Sequence, residues 1–147
     1  MRIFKIETEL WVPKAKDIVF DFFSDARNLN QLTPPLLEFK IVTPDPIIMA
    51  VGTLIDYKLK IRGIPVNWQS EITTWDKPHN FVDQQRKGPY RHWVHQHQFI
   101  EKDGGTLVKD QVDYSVFGGA LINKFFVAKD LQNIFDYRKK ELQNIFE

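Results

Sequence analysis

From Leu36 to Val116 apolar side chains recur at every second residue, and after Gly118-Gly119 they recur at every third and fourth. A period of two belongs to strands with one buried face, and a period near 3.6 to a helix with one buried stripe. Most of the chain is therefore committed to strands, and its last part to one long helix. The alternating stretch is punctuated at Pro44-Asp45-Pro46, Gly63-Ile64-Pro65, Lys77-Pro78-His79-Asn80 and Gly88-Pro89, with Lys102-Asp103-Gly104-Gly105 as a hairpin loop.

Individual segments follow from this pattern. Residues 2–11 alternate Phe4, Ile6 and Leu10 with Lys5, Glu7 and Glu9, which predicts a half-buried strand. Ala15, Ile18, Val19, Phe22 and Phe23 have helical spacing, and Ser24 or Asp25 can cap a second short helix that Pro34-Pro35 stops. Residues 37–43 read as a strand. From Gly52, Thr53, Ile55, Tyr57, Leu59 and Ile61 share one face; Val66, Trp68, Ser70 and Ile72 share the next. Residues 81–87, 90–101 and 106–117 complete a curved antiparallel sheet of about seven strands. Residues 120–146 carry a stripe of Leu121, Phe125, Ala128, Leu131, Ile134, Phe135, Leu142 and Phe146. At ~1.5 Å per residue that helix would run roughly 40 Å. The expected class is α+β, with the terminal helix covering the sheet's apolar face. A helix gripped by a strongly bent sheet leaves a gap in which a ligand fits.

Composition narrows the function classes. A length of 147 residues suits one domain, expected to span 1–147. With no cysteine, disulfides and thiol chemistry are excluded, and a net charge of +1 argues against a nucleic-acid partner. No apolar run reaches the roughly 18 residues of a membrane span. The alternating, acid-containing start is not a signal peptide, so a cytoplasmic location is expected. Twelve Phe, four Trp and four Tyr make 14% of the chain aromatic, enough for a core or for the wall of a cavity.

Three of the four histidines, His92, His95 and His97, lie within six residues. Alternation puts His95 and His97 on one face with Arg91, Trp93 and Phe99, ~7 Å apart along the strand at ~3.3 Å per residue. Asp83 and Gln85 share the face of Phe81, and Asp110 sits between Val108 and Val112. Buried carboxylates need partners, so these groups should satisfy one another, with Arg138 on the final helix as a further counter-charge. Three readings stay open: a structural polar network, orientation of a ligand's polar end, or acid–base catalysis by a His/Asp pair. Catalytic candidates are His95, His97, Asp83 and Asp110. His-x-His with Asp83 or Asp110 is acceptable for zinc or iron, but no third histidine has suitable spacing, and neither metal nor cofactor is expected. Tyr57, Leu59, Trp68, Ser70, Trp93 and Tyr114 are expected to line the cavity, with Leu121 and Phe125 as a lip hinged at Gly118-Gly119. Trp11 and Trp75 are expected to cover the sheet edge. Arg86, Lys87, Arg91 and His92 could steer an anionic ligand.

Several strings carry a family resemblance. They are Phe22-Phe23-Ser24-Asp25-Ala26-Arg27-Asn28-Leu29 with Leu32-Thr33-Pro34-Pro35, Gly52-Thr53, and Gly63-Ile64-Pro65 with Trp68. Phe81-Val82-Asp83-Gln84-Gln85 follows, with Lys87-Gly88-Pro89-Tyr90, Trp93, His95, His97 and Phe99. The last are Gly105-Thr106, Asp110, Tyr114 and Phe135-Asp136-Tyr137-Arg138. Together they resemble the ligand-binding SRPBCC proteins of the START-like superfamily, in the small bacterial cyclase/dehydrase-like branch. That resemblance implies a helix-grip fold with a cavity between sheet and long helix; with the aromatic inward faces and the buried polar cluster, the expected partner is a small apolar or amphipathic molecule with one polar or acidic end. It also implies a minority chance of cyclase or dehydratase activity. An interaction protein and a homodimer are further expectations.

Overall fold

The computed structural model describes all residues from Met1 to Glu147. Strand β1 (Phe4–Val12) leads through helix α1 (Lys16–Phe23) and two 3₁₀ segments, Ala26–Leu32 and Pro35–Leu37, into β2 (Lys40–Ile41). Then come β3 (Leu54–Ile61), β4 (Ile64–Asp76), β5 (Asn80–Lys87), β6 (His92–Lys102) and β7 (Gly105–Ser115). The chain ends in a short helix α2 (Gly119–Ile122), a π-helical turn (Asn123–Val127) and α3 (Ala128–Ile145).

All strand pairs are antiparallel, in the order β1-β7-β6-β5-β4-β3-β2. The first strand lies beside the last, with Phe4 opposite Tyr114 and Val12 opposite Thr106. The register of β4 against β5 shifts twice, between Gln69 and Ser70 and between Ile72 and Thr74. Such irregularities bend a strand and increase its twist, which turns the sheet into a cradle.

Two apolar clusters tie α3 to that cradle. In one, Leu142 and Phe146 join Phe20, Phe23, Phe81 and Phe99. In the other, Leu131 and Phe135 meet Val112, Tyr114 and Val116. Between them the same stripe of α3 carries a buried arginine, Arg138. The helix is thus packed at both ends and polar in its middle.

Four local expectations change. The final helix is not continuous: α3 has 18 residues, ~27 Å at ~1.5 Å per residue. An i→i+5 turn puts one extra residue into the helical phase. The stripe before it therefore no longer aligns with the stripe after it, and Leu121 and Phe125 are left 69% and 61% exposed. Asn123 points inward instead, and accepts a hydrogen bond from Tyr114 Oη at 2.7 Å. The strand over residues 37–43 shrinks to Lys40–Ile41, because Glu38 takes a left-handed conformation (φ 46°) that breaks the extended run. The second short helix is 3₁₀, capped where Asp25 accepts from the Arg27 amide at 3.0 Å. Trp75 packs into the core against Phe20, at 5.0 Å between ring centroids, while Trp11 stays exposed and donates to the Lys102 carbonyl.

Phe20 is wholly enclosed and meets Trp75, Phe81 and Phe99 edge-on. Phe20→Ala should lower unfolding free energy by ~3–5 kcal/mol with an unchanged denaturant slope. Urea unfolding measures both, and a loss below ~1 kcal/mol would show that the cluster collapses around the gap.

Candidate functional site

A cavity of about 390 Å³ lies between the concave sheet and α3. Its walls are mainly apolar: Leu59, Trp68 and Ile72 come from β3 and β4, and Leu131 and Phe135 from α3. The alternation of β3 and β4 aims these side chains at one face, and the bends in β4 keep that face concave. Tyr57 stacks on Trp68 at 5.7 Å, and Trp68 meets Trp93 edge-on at 5.3 Å. The Tyr57 hydroxyl and Ser70 Oγ lie 3.0 Å apart, and Trp68 Nε1 donates to the same Oγ at 3.1 Å. Burial, with the nearby Asp83 charge, pushes the Tyr57 phenol far up, so it stays neutral.

One wall is ionic. Asp110 on β7 is its hub: Oδ1 accepts from His95 Nε2 at 2.8 Å and from Arg138 Nη2 at 3.1 Å. Asp110 Oδ2 accepts from Arg138 Nε at 3.3 Å, with Thr8 Oγ1 at 3.5 Å. His97 Nε2 binds Asp83 Oδ2 at 2.6 Å, and its Nδ1 lies 3.4 Å from Asp110 Oδ1. The two imidazoles stack at 3.6 Å between centroids, and His97 stacks on Phe81 at 3.9 Å. Along the strand the two residues are a full repeat apart, but side-chain rotation brings the rings into contact. Arg138 is also poised over the Phe23 ring at 5.3 Å.

The charges follow from the partners. Burial opposes ionisation of Asp110, yet the Arg138 guanidinium and both histidines hold its carboxyl well below the usual range. Burial likewise opposes ionisation of Asp83, but the His97 hydrogen bond and nearby cations bring it below its ordinary value. Burial works against the His97 cation too, but its bonds to Asp110 and Asp83 prevail and raise its pKa. For His95 burial wins, helped by repulsion from His97, and its pKa falls. An ionised Asp110 can only accept, so neutral His95 carries its hydrogen on Nε2 and leaves Nδ1 as an acceptor.

Nine of the predicted site residues line the cavity: Tyr57, Leu59, Trp68, Ser70, Asp83, Trp93, His95, His97 and Arg138. Five are placed elsewhere. Asp110 lies behind the histidines, where it binds them instead of the open space. Gln85 is used by the turn, donating to the Tyr90 carbonyl and accepting from the Tyr90 amide. Tyr114 turns to Asn123, and Leu121 and Phe125 lie on the surface because of the π-helical turn. Arg86, expected to steer an anion, is occupied by Glu71 at 2.9 Å. Phe135 was expected only as helix packing, but it also walls the cavity and meets His95 edge-on at 5.6 Å. Leu29, Leu32 and Leu37 close another side from the 3₁₀ segments, whose irregular pattern holds no periodic signal.

Donor atoms of Asp83, His95 and His97 lie within 4.8 Å of one another, a set able to hold a metal ion. Within this set His97 Nε2 bonds directly to Asp83 Oδ2 at 2.6 Å.

A family model described as polyketide cyclase/dehydrase and lipid transport matches residues 12–137. A search of the curated proteins finds no match. Among solved structures, a Chromobacterium violaceum protein superposes with a TM-score of 0.76 at 11% identity, covering 97% of each chain. Major latex-like protein 151 from Panax ginseng gives 0.73 at 12% identity, covering 99% of this chain and 98% of its own. A Thermus thermophilus protein gives 0.69 at 20% identity, covering 95% and 94%. These likenesses establish the helix-grip fold.

The ionic wall predicts a pH signature. Lowered Asp83 and Asp110 values contribute stability above ~3.9, lost as pH falls through their folded values. The raised His97 value contributes stability that is complete below ~6.5 and fades as pH rises through its folded value. The lowered His95 value contributes above ~6.5 and is lost as pH falls through its folded value. Imidazole ¹⁵N NMR should show His97 titrating above ~6.5 and His95 below it. Coincident midpoints at the ordinary value would contradict the charge assignment.

Proposed function

The chain belongs to the polyketide cyclase/dehydrase and lipid transport family, and from that premise we propose that it binds a small, mainly hydrophobic molecule between sheet and α3. The observation that carries this reading is the 390 Å³ apolar cavity ending at a buried ionic wall. Its size falls in the range of roughly 300–1,000 Å³ typical of sites for drug-sized molecules. Leu59, Trp68 and Phe135 hold the ligand's apolar body. Tyr57, Ser70, Asp83 and His95 meet its polar end, while His97, Asp110 and Arg138 position those groups.

Nile red, an uncharged apolar dye, should bind with one-to-one stoichiometry and a blue-shifted emission. Leu59→Trp, which pushes an indole into the cavity, should weaken that binding by about tenfold or more while the fold survives. Absence of saturable binding, or binding indifferent to Leu59→Trp, would sink the reading.

A second reading is favoured by the His95–Asp110 pair. An oriented, neutral imidazole with Nδ1 toward a cavity is suited to take a proton, as in cyclisation or dehydration. The bonds of His97 to Asp110 and Asp83 raise its pKa, and Asp83 is a weakened base, so His95, whose Nδ1 is not engaged by Asp110, is the member best placed to take a proton. Dehydration of 4-hydroxy-4-phenyl-2-butanone to its enone, followed by absorbance, tests this. If the reading holds, His95→Gln abolishes turnover and leaves Nile red affinity within about twofold. Equal rates with and without the wild-type protein would dismiss it for this substrate class.

A further inference from the structure

Every cationic side chain on the cavity wall already has a carboxylate partner. Lys60 meets Glu38 at 2.9 Å, and Arg62 binds Asp130 through two contacts of 2.8 and 2.9 Å. Arg138 meets Asp110 at 3.1 Å, and His97 meets Asp83 at 2.6 Å. The Lys60 and Arg62 pairs are exposed at the rim, but at the inner end an entering carboxylate must either break the buried Arg138 or His97 pair or be buried unpaired, both of which are costly.

What the inner wall does offer is acceptors. Asp83 spends Oδ2 on His97, and an ionised carboxylate has about four lone-pair sites. Its second oxygen is not engaged. His95 donates from Nε2 to Asp110, which leaves Nδ1 as an acceptor 3.9 Å from Asp83 Oδ2. Both side chains border the cavity. Asp83 therefore keeps spare accepting capacity at the cavity's inner end, complementary to a group that donates. An ammonium would enter a wall that already holds the buried Arg138 guanidinium, whose like charge opposes it.

We propose that the cavity's occupant is an uncharged molecule with an alcohol or phenol hydroxyl at its inner end, which donates its one hydrogen to Asp83. This rests on the cavity being a binding site, and it narrows the polar or acidic end expected from the sequence to an uncharged, donating one.

The test is a matched set on chelator-treated protein at pH 7.5: naphthalene, 2-naphthol, 2-naphthoate and 2-naphthylmethylammonium. Binding is followed by NMR through the indole signals of Trp68 and Trp93, both on the cavity wall. The naphthol should bind about tenfold or more tightly than each of the other three, the gain expected of a hydrogen bond to a charged acceptor. Asp83→Asn, which supplies an amide donor in place of the carboxylate, should cut the naphthol-to-naphthoate ratio about fivefold or more and leave naphthalene unaffected. The proposal is overturned if naphthoate or the ammonium equals the naphthol, if naphthalene does, or if naphthol binds only after zinc is restored. Naphthalene bound without preference for its hydroxyl counterpart removes this proposal alone. No binding by any of the four removes the cavity reading, and the proposal with it.

Discussion

The buried pair of Asp110 and Arg138 is the interaction on which the rest of the site depends. It joins β7 to α3 across the interior, and each residue is only 6% exposed. Taking two charges out of water is costly, and the attraction repays that cost only when the remaining lone pairs and protons are also satisfied. Here His95 and His97 do the satisfying, and Asp83 completes the set by binding His97. Removing one partner from such a buried pair typically costs ~3–5 kcal/mol, because the other is stranded. The cluster therefore sets both the height of α3 above the sheet and the charge state of the cavity's inner wall.

The apolar contacts divide around this polar centre. Phe20 and its aromatic neighbours grip one end of α3 through Leu142 and Phe146, and Leu131 and Phe135 anchor the other against β7. Neither cluster fills the space over β3 and β4, where the bends of β4 carry the sheet away from the helix. The cavity is the result of curvature on one side and a helix held at two ends on the other. Its lining is apolar along its length and polar where the cluster reaches it.

Alternation made the sheet and the inward face of each long strand legible in the chain itself. Trp68, Ser70, His95, His97, Asp83 and Asp110 were all assigned to the interior side from their neighbours alone, because a strand has only two faces and a polar residue between apolar ones must share theirs. Alternation has no information on depth or rotamer. It could not say that Asp110 lies behind the histidines while Asp83 reaches the open space, or that the two imidazoles stack. It also could not foresee Gln85 being consumed by the backbone of its own turn.

The helical stripe was a weaker guide, because one π-helical turn is enough to shift its phase. Leu121 and Phe125 satisfied the spacing on paper and lie outside, while Asn123 faces in to meet Tyr114. By itself the sequence determined which residues form the long strands, which side of those strands is buried, and that the chain ends in a helix over that side. Those are consequences of local period and of the cost of exposing apolar surface. Only the tertiary structure decided which buried acid meets which base, and so which groups remain free to face a ligand. That choice turns on distances of a few ångströms between elements far apart in the chain, a scale that local periodicity does not encode.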